Sequence, residues 1–251
     1  MNNTWDATEY ESGFSFVHRY GTDVLDLIDA QPGSRVVDLG CGNGALTAQI
    51  AERGFSVRGV DASAEMIEAA RLAHPDLPFL QADACTFMLD QPADVIFSNA
   101  VFHWIDDERQ DALLINIARN LVTGGELVCE FGGFGCAERV HRALGHAFRR
   151  RGLEYQSGFY FPTIGEYAPR LEAAGLLPDF AVLFDRPTRQ EGPDGLRRWI
   201  RMFVQHPFEG MDAATVDELI DEAVEELRPM LLRDDGWYVD YVRIRLRARR
   251  L

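Results

Sequence analysis

The sequence predicts an α/β fold: a doubly wound, mostly parallel seven-stranded sheet with helices on both faces and a C-terminal helical insertion before the last strand. Three observations carry this. Short apolar runs alternate with amphipathic helical segments over the first two thirds of the chain, the pattern of repeated βα units. The stretch Val36 to Ala45, VVDLGCGNGA, passes from a buried strand through a glycine-rich turn into a helix. The length of 251 residues, with 47% hydrophobic content, suffices for the core of a single domain spanning 1–251.

The elements follow in order. Val17, Val24, Leu25 and Ile28 recur at helical spacing between Phe16 and Ile28, and Gln31-Pro32-Gly33 stops that helix. Strand 36–39 comes next, then a helix from Ala45 to Ala51 that ends at Arg53-Gly54. Phe55 to Val60 reads as a strand closing on Asp61, and Ala64 to about Leu72 as a helix. A short strand at Phe79-Leu80, a strand from Asp94 to Ser98, a helix from about Asp107 to Leu121 and a strand from Glu126 to Phe131 continue the alternation.

Val140, Ala143, Leu144, Ala147 and Phe148 share one helical face; Ile164 to Ala174 is a further helix and Phe180 to Phe184 a further strand. No strand pattern stands out between Asp185 and Asp235. There Val216, Leu219, Ile220, Ala223, Val224 and Leu227 trace a helical stripe with carboxylates opposite, which makes 185–235 a helical cap insertion with a solvated acidic face. Trp237 to Ala248 is the last strand. Its arginines at 243, 245, 247 and 249 alternate with Val242, Ile244, Leu246 and Ala248, so they are expected on a wet sheet face instead of in an anion site.

Charge and composition exclude several functions. A formal net charge of −15 repels polyanions, so no nucleic-acid partner is expected. No apolar run approaches the roughly 20 residues that span a bilayer, and the N-terminus lacks a signal segment, so no membrane partner and a cytoplasmic location are expected. Cys41, Cys85, Cys129 and Cys136 form no C-x-x-C pair, and His141 and His146 stand five apart on different helical faces, so no metal site is expected. Nothing in the sequence speaks to oligomeric state.

The glycine turn carries the chemistry. Its positive-φ positions bring backbone N–H groups against a ligand, and the helix that follows adds a positive end. Gly40 to Ala45 also satisfies G-x-G-x-x-A, and Asp61 stands 21 positions after Gly40, so a nicotinamide-dependent oxidoreductase is an open reading. Asp38 counts against it: a carboxylate there faces a pyrophosphate at a cost but an ammonium group with profit.

The run apolar-apolar-Asp-apolar-Gly-Cys-Gly-x-Gly resembles the first motif of the class I S-adenosylmethionine-dependent methyltransferases. The resemblance extends through Gly59-Val60-Asp61-Ala62-Ser63 with Met66, through Ala82-Asp83-Ala84, through Asp94 to Ala100, and to Gly124-Gly125, making 33–132 a cofactor-binding core. It implies S-adenosyl-L-methionine as cofactor. By that likeness Asp38 and the backbone of Gly40, Cys41 and Gly42 face the methionine moiety, Asp61 accepts from both ribose hydroxyls, and Asp83 binds the adenine amino group. Ala62, Met66 and Ala84 would sandwich the ring.

Ser98 to Trp104, with Trp5-Asp6 and Tyr10, is similar to the trans-aconitate methyltransferase branch. That likeness implies that residues 1–32, Tyr10 included, form an N-terminal cover over the cofactor, and that Asn99, Ala100, His103 and Trp104 lie at the site. The insertion matches no substrate signature.

The expected activity is methylation of a small-molecule acceptor, as O-methylation of a small carboxylic acid or natural product. N- or C-methylation of a small metabolite and a non-catalytic cofactor-binding module are the alternatives. His103 is the catalytic candidate: a base for a hydroxyl, phenol or amine acceptor, or only part of the wall. A carboxylate is already ionised and needs a clamp instead, with His18, Arg19, His103 and arginines of the insertion as candidates. Tyr155, Phe159, Tyr160 and Phe161 offer an aromatic wall or a cap on the sheet edge.

Overall fold

A computed structural model describes residues 23–251; Trp5, Asp6, Tyr10, His18, Arg19 and most of the expected N-terminal cover lie outside them. Fifteen α-helices and strands have defined bounds among the described residues. They are β1 (Arg35–Leu39), α1 (Ala45–Glu52), β2 (Ser56–Asp61), α2 (Ala64–Ala73), β3 (Phe79–Gln81), β4 (Ala93–Asn99), α3 (Asp107–Asn120), β5 (Leu121–Gly132), α4 (Glu138–Arg150), α5 (Ile164–Ala173), β6 (Leu176–Gln190), α6 (Gly195–Phe203), α7 (Ala213–Leu231), β7 (Leu232–Arg233) and β8 (Gly236–Arg250).

One sheet runs in the order β3-β2-β1-β4-β5-β8-β6, with β1 to β5 parallel and β8 antiparallel between β5 and β6. The two-residue β7 pairs with β8 and adds an eighth strand to the seven expected. Strand order reverses between β1 and β4. At such a switch point the loops leave in opposite directions and open a crevice at the strand C-termini.

Helices cover both faces, and β1 shows why. Val37 and Leu39 join one buried cluster with Ile96, Leu113 and Leu127, while Val36 joins the opposite one with Leu46, Ile50, Val95 and Val128. A strand buried on both sides reads as a continuous apolar run, and RVVDL is one.

Three expectations change. The strand expected at Phe180–Phe184 runs from Leu176 to Gln190, so the first six residues of the expected insertion belong to the sheet. It is an edge strand: Pro178, Asp185 and Pro187 look like loop residues, yet pairing along β8 from Leu176↔Arg250 to Gln190↔Trp237 holds them extended. β5 begins at Leu121 instead of Glu126, because a register shift between Ala93 and Val95 absorbs the glycine turn at Gly124.

The acidic face of α7 is not simply solvated. Glu218 and Glu222 pair with Arg151, and Glu222 and Glu226 with Arg150, which ties the insertion to α4. Its apolar face packs as expected: Ile220, Ala223 and Leu227 are buried with Leu196, Trp199 and Ile200 of α6, and Leu219 with Ala147 and Phe148 of α4. Among the described residues no helix is long and apolar enough to cross a membrane, and no cluster of metal-ligating side chains occurs.

Candidate active site

A cavity of about 450 Å³ opens at the C-terminal ends of β1, β2 and β4. Its lining includes the candidates Asp38, Gly40, Cys41, Gly42, Asp61, Ala62, Met66, Asp83, Ala84, Asn99, Ala100, His103 and Trp104, with Phe159 and Phe161 of the aromatic group. Tyr155, Tyr160 and the arginines of the insertion expected as clamps do not line it, and Arg197 and Arg201 are paired with Asp217 instead.

The glycine turn forms the floor. Gly40 has φ +78, and a Cβ there would stand 2.1 Å from Val101 Cγ2, so both backbone and space demand glycine. Gly40→Ala is expected to lower stability by roughly 2–4 kcal/mol, from left-handed strain plus overpacking, as read from urea unfolding midpoints. Gly42, at φ +53, has nothing within 4 Å of a Cβ, so it leaves the cavity floor open.

The N–H groups of this turn do not point at a ligand as expected. Gly40 and Cys41 donate to Val60 O, Gly42 donates to Asp61 Oδ2 at 2.9 Å, and Gly44 donates to Cys41 O. A pyrophosphate placed here loses those donors and meets Asp38 as well. The dinucleotide reading therefore fails on hydrogen-bond supply.

Asp38 is 1% exposed and accepts from Thr47 Oγ1 at 2.6 Å. Burial raises its carboxyl to about 7, against the opposing bond from Thr47. Asp61 accepts from Gly42 N and Ser63 N through different oxygens, and burial raises it too. Ser63 caps α2 by accepting from Met66 N at 3.2 Å, which sets Met66 in the first helical turn beside the cavity. Asp83 is gripped by Arg109, whose Nη2 donates to both carboxylate oxygens at 2.9 and 2.8 Å. Partial burial raises Asp83, but the Arg109 bonds and the Cys85 N–H prevail and hold it below the usual range.

Beyond β4 the chain turns sharply. Ala100 takes φ +61, and a 3-10 turn at Phe102–Trp104 follows, pinned where Gln110 Nε2 donates to Phe102 O and Ile105 O. This turn puts His103 and Trp104 beside an aromatic stretch of the same cavity's wall, the aromatic chamber. Its walls are Phe159, Phe161, Trp199, Phe203 and Tyr241, with Trp104 and Phe159 ring centroids 4.8 Å apart.

His103 is buried, and the Gly132 N–H donates to its Nδ1 at 3.2 Å. A backbone amide can only donate, so Nδ1 is the acceptor and the proton of the neutral ring sits on Nε2. Burial, with Arg243 nearby, holds His103 well below 6.5. Its one lone pair is therefore already in use, which opposes the role of base.

Arg243 corrects the expectation that the β8 arginines share a wet face. The odd-numbered face of β8 is covered by the insertion at Trp237, Val239 and Tyr241, and Arg243 is the last residue under that cover, 8% exposed. Arg245 and Arg186 neutralise Glu130, and Arg247 and Arg249 reach Asp179. Arg243 makes no ion pair with a carboxylate among the described residues; its Nη1 lies 3.9 Å from Cys136 Sγ and its guanidinium 4.2 Å from the Tyr241 ring centroid. Sequence reasoning missed it, as it missed Arg109 and His141, since nothing local separates Arg243 from its neighbours.

Known proteins resemble this chain in sequence and in fold. A family model described as a methyltransferase domain matches residues 36–125. The chain is 28% identical to an uncharacterized methyltransferase of Schizosaccharomyces pombe over 97% of each chain. It is 39% identical to the trans-aconitate 2-methyltransferase of Azoarcus over 51% of this chain and 50% of that one. With the trans-aconitate 2-methyltransferase of Deinococcus radiodurans it shares 29% over 84% of this chain and 86% of that one. Among solved structures, the YcgJ protein of Bacillus subtilis superposes with a TM-score of 0.66 at 18% identity, over 93% of this chain and 98% of that one. The phosphoethanolamine N-methyltransferase 2 of Haemonchus contortus, in complex with S-adenosyl-L-methionine, gives 0.58 at 19% identity, over 97% of this chain and 56% of that one. At those identities the structures speak to the fold.

Proposed function

Because this chain is a class I S-adenosylmethionine-dependent methyltransferase related to the trans-aconitate methyltransferase branch, we propose that it methylates a carboxylate oxygen of a small organic acid. The observation that carries this reading is Arg243, a buried cation without a carboxylate partner among the described residues, at the wall of the aromatic chamber. A guanidinium in that setting matches an anionic acceptor by charge and by its forked donors.

The cradle fits S-adenosyl-L-methionine. Asp38, buried with no cation paired to it among the described residues, suits the ammonium group; Gly42 leaves open space; Asp61 keeps lone pairs free for ribose hydroxyls after accepting from Gly42 N and Ser63 N. Ala62, Met66 and Ala84 would flank the adenine, with Asp83 steadied by Arg109 at its edge. Asn99 and Ala100, at the end of β4, line the same cavity. When bound, the cofactor supplies a methyl group on a sulfonium, ready for in-line displacement.

The protein's part is alignment and exclusion of water. Arg243 holds the carboxylate, which is ionised at neutral pH and needs no base. His103 donates from Nε2 instead of removing a proton, and the ring walls keep the chamber dry. The reading takes 33–132 as the cofactor-binding core, 185–235 as the acceptor-side cap and 1–32 as the cofactor cover. A cytoplasmic location and the absence of a nucleic-acid partner belong to it as well, supported by free thiols and a net charge of −15.

The test is calorimetric titration with S-adenosylhomocysteine beside NADH, followed by transfer of labelled methyl groups to a panel of carboxylic acids, phenols and amines. Label released by mild alkali marks an ester and supports the reading. Alkali-stable label overturns it in favour of an ether or nitrogen acceptor.

A further inference from the structure

The aromatic chamber holds a second polar group that the transfer reaction does not use. His141, on α4, lines the cavity with its ring against Phe159 and Phe161, centroids 5.5 and 6.0 Å away. Its Nδ1 lies 2.6 Å from the Tyr155 hydroxyl, while Nε2 is buried with no hydrogen-bond partner among the described residues. An unpaired buried polar atom carries a desolvation cost, so its persistence in a cavity wall points to a ligand that completes it.

The pair's chemistry narrows the ligand. Burial lowers His141 to about 4, so the ring is neutral at physiological pH and a poor base. Burial also raises the Tyr155 hydroxyl, which stays protonated. Tyr155 can donate to Nδ1, leaving Nε2–H as a donor, or accept from Nδ1–H, leaving Nε2 as an acceptor. A neutral atom that can take either role, set among aromatic rings, suits a hydroxyl; a second carboxylate would gain no charge partner there.

We propose that His141, backed by Tyr155, is a hydrogen-bonding subsite that reads a hydroxyl of the acceptor, so that the substrate class is hydroxylated carboxylic acids with an apolar, ring-bearing body. This rests on the carboxylate reading above for the acid half and on the His141 geometry for the hydroxyl half.

The experiment separates the two halves. Protein saturated with S-adenosylhomocysteine is titrated with benzoate, 3-hydroxybenzoate and 4-hydroxybenzoate, and with benzamide and its two hydroxylated counterparts as the series without a carboxylate. One hydroxylated isomer is expected to bind about tenfold tighter than its parent, the worth of one hydrogen bond of about 1.4 kcal/mol. The ratio is expected to fall to about one in His141→Phe, to fall in part in Tyr155→Phe, and to recover in part in His141→Gln, with thermal melts confirming that each variant folds. No preference in either series, whether because nothing binds or because parent and hydroxylated probes bind alike, overturns the proposal. So does a preference that survives in His141→Phe. A preference confined to the amides keeps the subsite and overturns the carboxylate reading instead.

Discussion

Arg243→Met is expected to lower kcat/KM toward carboxylic acids about 100-fold or more, leave the affinity for S-adenosylhomocysteine within about threefold, and raise the melting temperature. The loss follows from removing charge-assisted hydrogen bonds worth about 1.5–3 kcal/mol each. The gain in stability has a separate cause. A buried cation without a carboxylate partner carries a desolvation penalty, and methionine fills most of its volume without one, so roughly 1–3 kcal/mol returns to the folded state. For a chain of this size that is roughly a 2–10 °C rise, readable by calorimetry. A variant that keeps its activity and melts lower would mean that Arg243 serves only the packing of β8 against Cys136 and Tyr241.

Cofactor affinity is expected to depend on pH through Asp38. Only the ionised carboxylate pairs with an ammonium group, and its carboxyl lies at about 7 in the ligand-free protein. The Kd of S-adenosylhomocysteine should therefore rise about tenfold per pH unit below 7 and level off above it. Asp38→Asn should abolish that slope and weaken binding at pH 8 by about 100-fold, because the ion pair is replaced by a neutral contact.

Stability moves the other way. The folded-state value lies above the ordinary 3.8, so the folded chain holds this proton more tightly than the unfolded chain. Asp38's contribution is complete below about pH 4 and is lost as pH rises through about 7, by roughly 4 kcal/mol at alkaline pH. Ligand-free Asp38→Asn is accordingly expected to be more stable than the parent at pH 8, in urea titrations. A binding curve flat from pH 5 to 8 would sink the placement of the ammonium group beside Asp38.

That the candidate residues meet at one cavity was legible because the signals are local. VVDLGCGNGA encodes a strand, a turn and a helix in ten consecutive residues, and the βα alternation brings Asp61, Asp83 and Asn99 to the same edge of a parallel sheet. Once the alternation is read, the topology leaves those side chains little choice of place. The partners of the Gly40, Cys41 and Gly42 N–H groups were not legible, because their acceptors, Val60 O and Asp61, stand about twenty residues further along the chain.

The sequence by itself determined the fold class, the gathering of the candidate residues of β1, β2 and β4 at one cavity and the apolar stripe of the insertion, since each is written in spacings shorter than one element or in a motif between adjacent elements. Tertiary structure alone decided the aromatic end of the cavity and its buried polar groups. It set Arg243 under the cap and Arg245 on Glu130, gave the lone pair of His103 to Gly132, left Nε2 of His141 without a partner, and extended β6 along β8 past two prolines. Periodicity tells which side of an element meets the core, but the partner that a buried charge or imidazole finds there comes from distant parts of the chain, and no local pattern encodes it.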